Sequence, residues 1–125
     1  MIDTSSDASP PWPTDIHLDQ AERTLTLTFD NGESFVLSAE YLRVESPSAE
    51  VQGHGGDQKK IVPAKRKVGI SNLEPVGNYA VRILFDDGHD TGLFTWTYLR
   101  ELGLTHTQKW DTYLKALAHQ GLQRD

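Results

Sequence analysis

The stretch that most constrains this chain is Val76 to Leu99, VGNYAVRILFDDGHDTGLFTWTYL, where alternating apolar side chains, an Asp-Gly pair and the densest aromatic content coincide. Asp87-Gly88 between two alternating runs predicts a β-hairpin closed by a two-residue turn with positive φ, the geometry that follows the natural twist of paired strands. That register opposes Asp86 with His89, Phe85 with Asp90, Ile83 with Gly92, Val81 with Phe94 and Tyr79 with Trp96. Successive strand side chains point to opposite faces. Tyr79, Val81, Ile83, Phe85, Phe94 and Trp96 therefore share an apolar face, and Arg82, Leu84, Asp86, His89, Leu93 and Thr95 share the other. A lone hairpin is marginal in water, so the rest of the chain must cover the apolar face.

Upstream the same pattern recurs. Thr24 to Phe29 alternates with Leu25, Leu27 and Phe29 on one face, Asn31-Gly32 is a hairpin turn, Glu33 to Leu37 returns, and Ser38 can cap a short helix carrying Tyr41 and Leu42. Phe29-Asp30-Asn31-Gly32 matches Phe85-Asp86-Asp87-Gly88, and Tyr41-Leu42-Arg43 matches Tyr98-Leu99-Arg100, with one residue inserted in the second copy between these blocks. The fold class read from this is α+β: antiparallel hairpins packed with short helices in two similar hairpin-helix halves. Asp15 to Leu18 and Val68 to Leu73 are further strand candidates. From Thr105 onward, Trp110, Tyr113, Leu114 and Leu117 fall at helical spacing, with Thr107 as a cap and Gly121 as a stop, which predicts an amphipathic C-terminal helix. The expected organisation is a disordered Ser/Asp/Pro-rich tail over residues 1–13, a domain over 14–103 and the C-terminal helix over 104–125. The turn-rich loop of residues 44–67 joins the halves.

A chain of 125 residues fits one domain. Its formal net charge of −6 argues against general nucleic-acid or anionic-membrane binding, both of which work through summed positive charge. The absence of cysteine excludes disulfides, thiolate metal sites, cysteine nucleophiles and cysteine-ligated clusters. No run of membrane-spanning length and no basic segment followed by an apolar one is seen, so the expected location is the cytoplasm. No Ser sits in a nucleophile-elbow motif and no phosphate-loop spacing is present. The chain is expected to be no enzyme and to hold no cofactor.

Two histidines stand out. His89 lies beside Asp86 and Asp87, where a carboxylate can orient its ring for metal binding or proton transfer, or simply stabilise the turn. His54 lies in Gly53-His54-Gly55-Gly56, where glycines let the backbone wrap an ion or form a flexible loop. His17, His106 and His119 show no ligand spacing with one another. The cluster Lys59, Lys60, Lys65, Arg66 and Lys67 reads either as a site for an acidic partner or nucleic-acid backbone, or as a solvated loop arm.

Glu74-Pro75-Val76-Gly77-Asn78-Tyr79-Ala80-Val81, Phe85-Asp86-Asp87-Gly88-His89, Gly92, Trp96, Tyr98-Leu99, and Tyr41-Leu42-Arg43 with Ser46-Pro47-Ser48-Ala49-Glu50 together resemble the gamma-butyrobetaine hydroxylase-like N-terminal domain family. The likeness spans about residues 13–103. It implies an α+β domain found alone in bacteria, attached to iron–sulfur carrier ATPases, or in front of the oxygenase domain of carnitine-pathway hydroxylases. In those hydroxylases the domain holds a structural zinc through three cysteines and a histidine, which fall here on Ser46, Ser48, Val51 and His89. Neither hydroxyls nor valine replace thiolates around zinc, and the oxygenase domain is absent from this sequence, so neither property carries over. The expectation is a non-catalytic interaction module acting near Arg43, Pro47, Asp86 and His89, with an iron–sulfur carrier ATPase as the partner class the resemblance suggests. The alternative is a metal- or small-ligand-binding protein using His54 and His89, with Asp86 or Asp87 adding oxygen ligands.

Overall fold

A computed structural model describes residues 11–53 and 59–125. Over these residues it is an α+β fold built from two three-stranded antiparallel sheets and four helices. The first half comprises β1 (Pro13–Asp19), β2 (Thr24–Phe29), β3 (Ser34–Ser38) and α1 (Ala39–Val44). A short helix α2 (Ala49–Gln52) follows. The second half repeats the plan with β4 (Ile70–Val76), β5 (Ala80–Phe85), β6 (Leu93–Thr95) and α3 (Trp96–Leu104), after which α4 (His106–His119) closes the chain. Each sheet is a simple meander in chain order. No helix among the described residues is long and apolar enough to cross a membrane.

The alternation read from sequence places the core. Leu25, Leu27, Phe29 and Leu37 from the first half meet Val81, Ile83, Phe85 and Phe94 from the second, with Tyr41, Leu42, Leu99 and Leu102 from the helices between them. Arg82 is exposed on the opposite face, as expected. Two members of the predicted apolar face depart from it. Tyr79 is half exposed because it lies in the turn before β5, and Trp96 is the first residue of α3, not a strand residue.

The hairpin turns also differ from expectation. Phe85 N–H donates to His89 O (3.0 Å) and Gly88 N–H to Phe85 O (3.2 Å), so Asp86-Asp87-Gly88 forms a three-residue loop in which Gly88 alone takes positive φ, +90°. This is a tight turn followed by a left-handed glycine, which confines the steric cost of positive φ to the residue without a Cβ. The first hairpin does the same, with Phe29 N–H to Glu33 O (2.8 Å), Gly32 N–H to Phe29 O (3.0 Å) and Gly32 at +89°. Phe85 thus faces His89 and not Asp90, yet Val81 still pairs with Phe94 as predicted. The one inserted residue is absorbed between these points, in Asp90-Thr91-Gly92.

Both short helices are capped alike, Ser38 Oγ accepting from Tyr41 N (3.1 Å) and Thr95 Oγ1 from Tyr98 N (3.0 Å). Thr107 is no cap, because α4 already begins at His106. Gly121 is the predicted stop: at φ +69° it donates to Ala118 O (3.2 Å) while Leu122 N–H reaches Leu117 O (2.9 Å), closing the helix end. Trp110 and Leu117 of α4 face inward beside the buried Tyr113, while Leu114 is partly exposed. The tail expected over residues 1–13 falls mostly outside the described residues. Its end is ordered, with Trp12 N–H donating to Asp30 Oδ1 (3.1 Å) and Pro13 opening β1.

Candidate functional site

The repeated Tyr-Leu-Arg is what joins the halves. Tyr41 of α1 donates its hydroxyl to Leu102 O in α3 (2.7 Å), and Tyr98 of α3 donates to Glu45 O at the end of α1 (2.6 Å). Each acceptor stands four residues after the other half's tyrosine, so the exchange is reciprocal. The arginines cross over too: Arg43 Nε donates to Asp87 Oδ2 (2.8 Å) in the second hairpin turn, and Arg100 makes a two-pronged contact with Glu33 (2.6 and 3.0 Å) beside the first. Even the turns correspond, since Asn31 Oδ1 accepts from Glu33 N (3.0 Å) as Asp87 Oδ1 accepts from His89 N (3.1 Å).

The correspondence breaks at one place, and the candidate site lies there. Gly103 of α3 lies against the ring of Phe35 on β3, so closely that an added Cβ would stand 2.4 Å from the ring. At the matching junction the bulky and small partners are gone. Gly92 occupies the place of Phe35, Ser46 that of Gly103, and a Cβ on Gly92 would stand 2.4 Å from Ser46 Oγ. Removing the phenyl ring leaves room that a polar group fills. His89 Nε2 lies 2.9 Å from Ser46 Oγ and 3.3 Å from Ser48 Oγ, and Ser46 Oγ also bonds Ser48 Oγ (3.2 Å).

This cluster is sealed. Ser46 is fully buried, Ser48 and Val51 nearly so, and the His89 side chain is only 6% exposed. Burial, reinforced by the Arg43 charge and opposed by the neighbouring carboxylates, lowers the His89 pKa below its ordinary value and so favours the neutral ring. Burial likewise opposes ionisation of Asp87, but hydrogen bonds from Lys65 (2.6 Å), the His89 amide and Arg43 outweigh it and hold its carboxyl at about 2. Arg43 is itself largely buried, and its Nη1 has no hydrogen-bond partner among the described residues.

Ser46, His89 and Glu50 are the residue types of a nucleophile–base–carboxylate relay. The geometry is that of a joint: Glu50 Oε1 stands 3.6 Å from His89 Nδ1, Glu50 accepts instead from the Thr91 hydroxyl, and Ser46 Oγ has no path to an external carbonyl. Nor does the donor set suit zinc. Two hydroxyls, one imidazole and a valine methyl offer no thiolate, and among the described residues no group of three His, Asp or Glu is placed to hold a metal ion. His54 lies outside the described residues.

The residues predicted from sequence are thus brought together only in part. Arg43 and His89 converge on the joint and point inward, and Pro47 packs near Gly92. Asp86 stands apart, its Oδ1 accepting from Gly69 N (2.9 Å), the counterpart of Asp30 with Trp12. The basic cluster is mostly neutralised, with Lys59 on Glu45 (2.5 Å), Lys65 on Asp87 and Arg66 on Asp125 (2.6 Å). His106 packs edge-on against Tyr41, 4.5 Å between ring centres. Glu50 and Thr91 were not singled out in the sequence, and Lys65 was read only as part of the basic cluster and not as a partner of Asp87; the inserted residue after His89 was the one visible sign that the second junction differs.

Residues 16–100 match the model of the family described as gamma-butyrobetaine hydroxylase-like, N-terminal. Among solved structures, one NMR solution structure shares 50% identity over 92% of this chain and 90% of its own, with a TM-score of 0.81. A second NMR structure shares 43% identity over 98% and 91%, also at 0.81. A crystal structure at 1.93 Å of a protein of unknown function from Acidithiobacillus ferrooxidans, of the DUF971 family, shares 38% identity over 73% and 91%, at 0.62. No curated protein matches.

Proposed function

The chain belongs to the gamma-butyrobetaine hydroxylase-like N-terminal domain family, and from that premise we propose that it acts in the cytoplasm as a non-catalytic interaction module, an accessory to iron–sulfur cluster handling or to a partner enzyme. The observation that carries this reading is the sealed Ser46–Ser48–His89 joint. Ser46, Ser48 and His89, three of the four positions where the resemblance implies zinc ligands in the hydroxylases, are spent on hydrogen bonds to one another. What remains for other molecules at this end is the rim. Glu50 has a side chain 64% exposed, and Asp90, which like Glu50 acts on the His89 ring, is exposed as well. A rim of carboxylates on a chain of net charge −6 suits a partner with a basic face and gives an association that salt weakens.

Isothermal titration against a purified iron–sulfur carrier ATPase from the same organism tests the proposal. It predicts binding that weakens with added salt and in the Glu50→Lys/Asp90→Lys variant. Absence of binding at low salt, or binding indifferent to both changes, would refute it.

A further inference from the structure

Away from the joint, the strap of residues 59–61 and the helices α3 and α4 enclose a cleft of about 320 Å³, within the size range of small-molecule sites. Its floor is apolar, made by Val44, Ile61, Tyr113 and Ala116. The walls are fixed before anything binds. Tyr113 donates its hydroxyl to Val62 O (2.7 Å), Lys60 N–H donates to Val51 O (2.7 Å), and Lys59 is held on the buried Glu45. The Lys59–Glu45 pair contributes no net charge. Lys60 and Lys109 also line the cleft and make no ion pair among the described residues, against a single further carboxylate, Glu101. The cleft is therefore net positive by one charge in a chain of net −6.

An apolar floor under two ammonium groups that make no ion pair among the described residues fits a ligand with a hydrocarbon body and one negative end. The Glu101 carboxylate on the same wall disfavours a dianion such as phosphate. We propose that this cleft binds a small aliphatic monocarboxylate, its chain on Ile61 and Tyr113 and its carboxylate between Lys60 and Lys109. The α4 residues Gln108, Lys109, Thr112, Tyr113 and Ala116 lie beyond the family match at residues 16–100, as do Glu101 and Thr105. The site thus needs the C-terminal helix as well as the family segment, and it stands or falls independently of the partner contact at the acidic rim.

The test is an amide NMR titration with sodium hexanoate, with hexylammonium chloride and inorganic phosphate as comparisons. Hexanoate should shift Ile61, Lys109, Thr112 and Tyr113 saturably, and the comparison ions should not. Lys60→Ala/Lys109→Ala should weaken binding about tenfold. Ala116→Trp, which fills the floor, should abolish it with the helical circular dichroism retained; if that variant does not fold, Lys109→Glu serves in its place with the same expected loss. The inference is overturned by the absence of saturable shifts up to about 10 mM hexanoate, a concentration reaching even feeble binding. Equal shifts with hexylammonium, or binding retained in a folded cleft variant, would overturn it as well.

Discussion

Replacing Gly103 by alanine sets two effects of opposite sign against each other. In a helix interior, alanine is favoured over glycine by about 1 kcal/mol, because glycine loses more backbone freedom. At Gly103 the new Cβ would meet Phe35 at 2.4 Å (Cγ), 2.5 Å (Cδ1) and 2.9 Å (Cδ2). These are atoms of a ring held edge-on against Phe29, 6.0 Å between centres, so the ring can give way only by disturbing the core face of β2 and β3. Overpacking of this kind costs about 1–3 kcal/mol. The net expectation is destabilisation by about 1 kcal/mol, measured as a lower urea midpoint with unchanged slope. The sharper reading comes from the second background. In Phe35→Ala the clash is gone, and the same Gly103→Ala change should then stabilise by about 1 kcal/mol. Stabilisation of equal size in both backgrounds would refute the claim that this glycine exists for close packing between the halves.

Tyr41→Phe and Tyr98→Phe should each destabilise by about 1–2 kcal/mol in urea unfolding, since each removes one hydroxyl of the reciprocal exchange; a neutral result for both would show that it does not hold the halves together. Gly88→Val should cost on the order of 1 kcal/mol or more, through the strain of a β-branched residue at positive φ, and a midpoint equal to wild type would contradict the turn described. His89 and Asp87 set the pH dependence. His89 has its folded pKa below the ordinary 6.5, so its contribution is present above that value and declines as pH falls below it. Asp87 is depressed from 3.8 to about 2, so its contribution is present above 3.8 and is lost as pH falls through about 2. Urea midpoints should therefore drop between pH 7 and 5 in the wild type and less so in His89→Asn, and identical profiles would remove the histidine from the account.

Most of the scaffold was legible because it rests on local rules. Strict alternation in TLTLTF and AVRILF marked the buried faces, the Asn-Gly and Asp-Gly pairs marked both turns, and the duplicated Tyr-Leu-Arg marked the repeat. The turn type was misread because Asp-Gly serves both two-residue and three-residue loops, and the choice depends on where the strands are pulled further along. Tyr79 and Trp96 were misplaced because alternation does not say where a strand stops. The site was the least legible part. His89 was marked by its neighbours, but the serine joint depends on a missing phenyl ring at Gly92 and on contacts between residues more than forty positions apart. The inward turn of Arg43 likewise follows from packing between halves, which no local pattern reports.

The account rests on the claim that hydrogen bonds among Ser46, Ser48 and His89 do the structural work at this junction without a metal. Elemental analysis of the purified, dialysed protein tests it most directly, with His89→Ala measured alongside. The prediction is no stoichiometric zinc in either protein, and a wild-type melting temperature unchanged by chelator. One zinc per chain in the wild type, lost in His89→Ala, would contradict it and move the protein to the metal-binding reading.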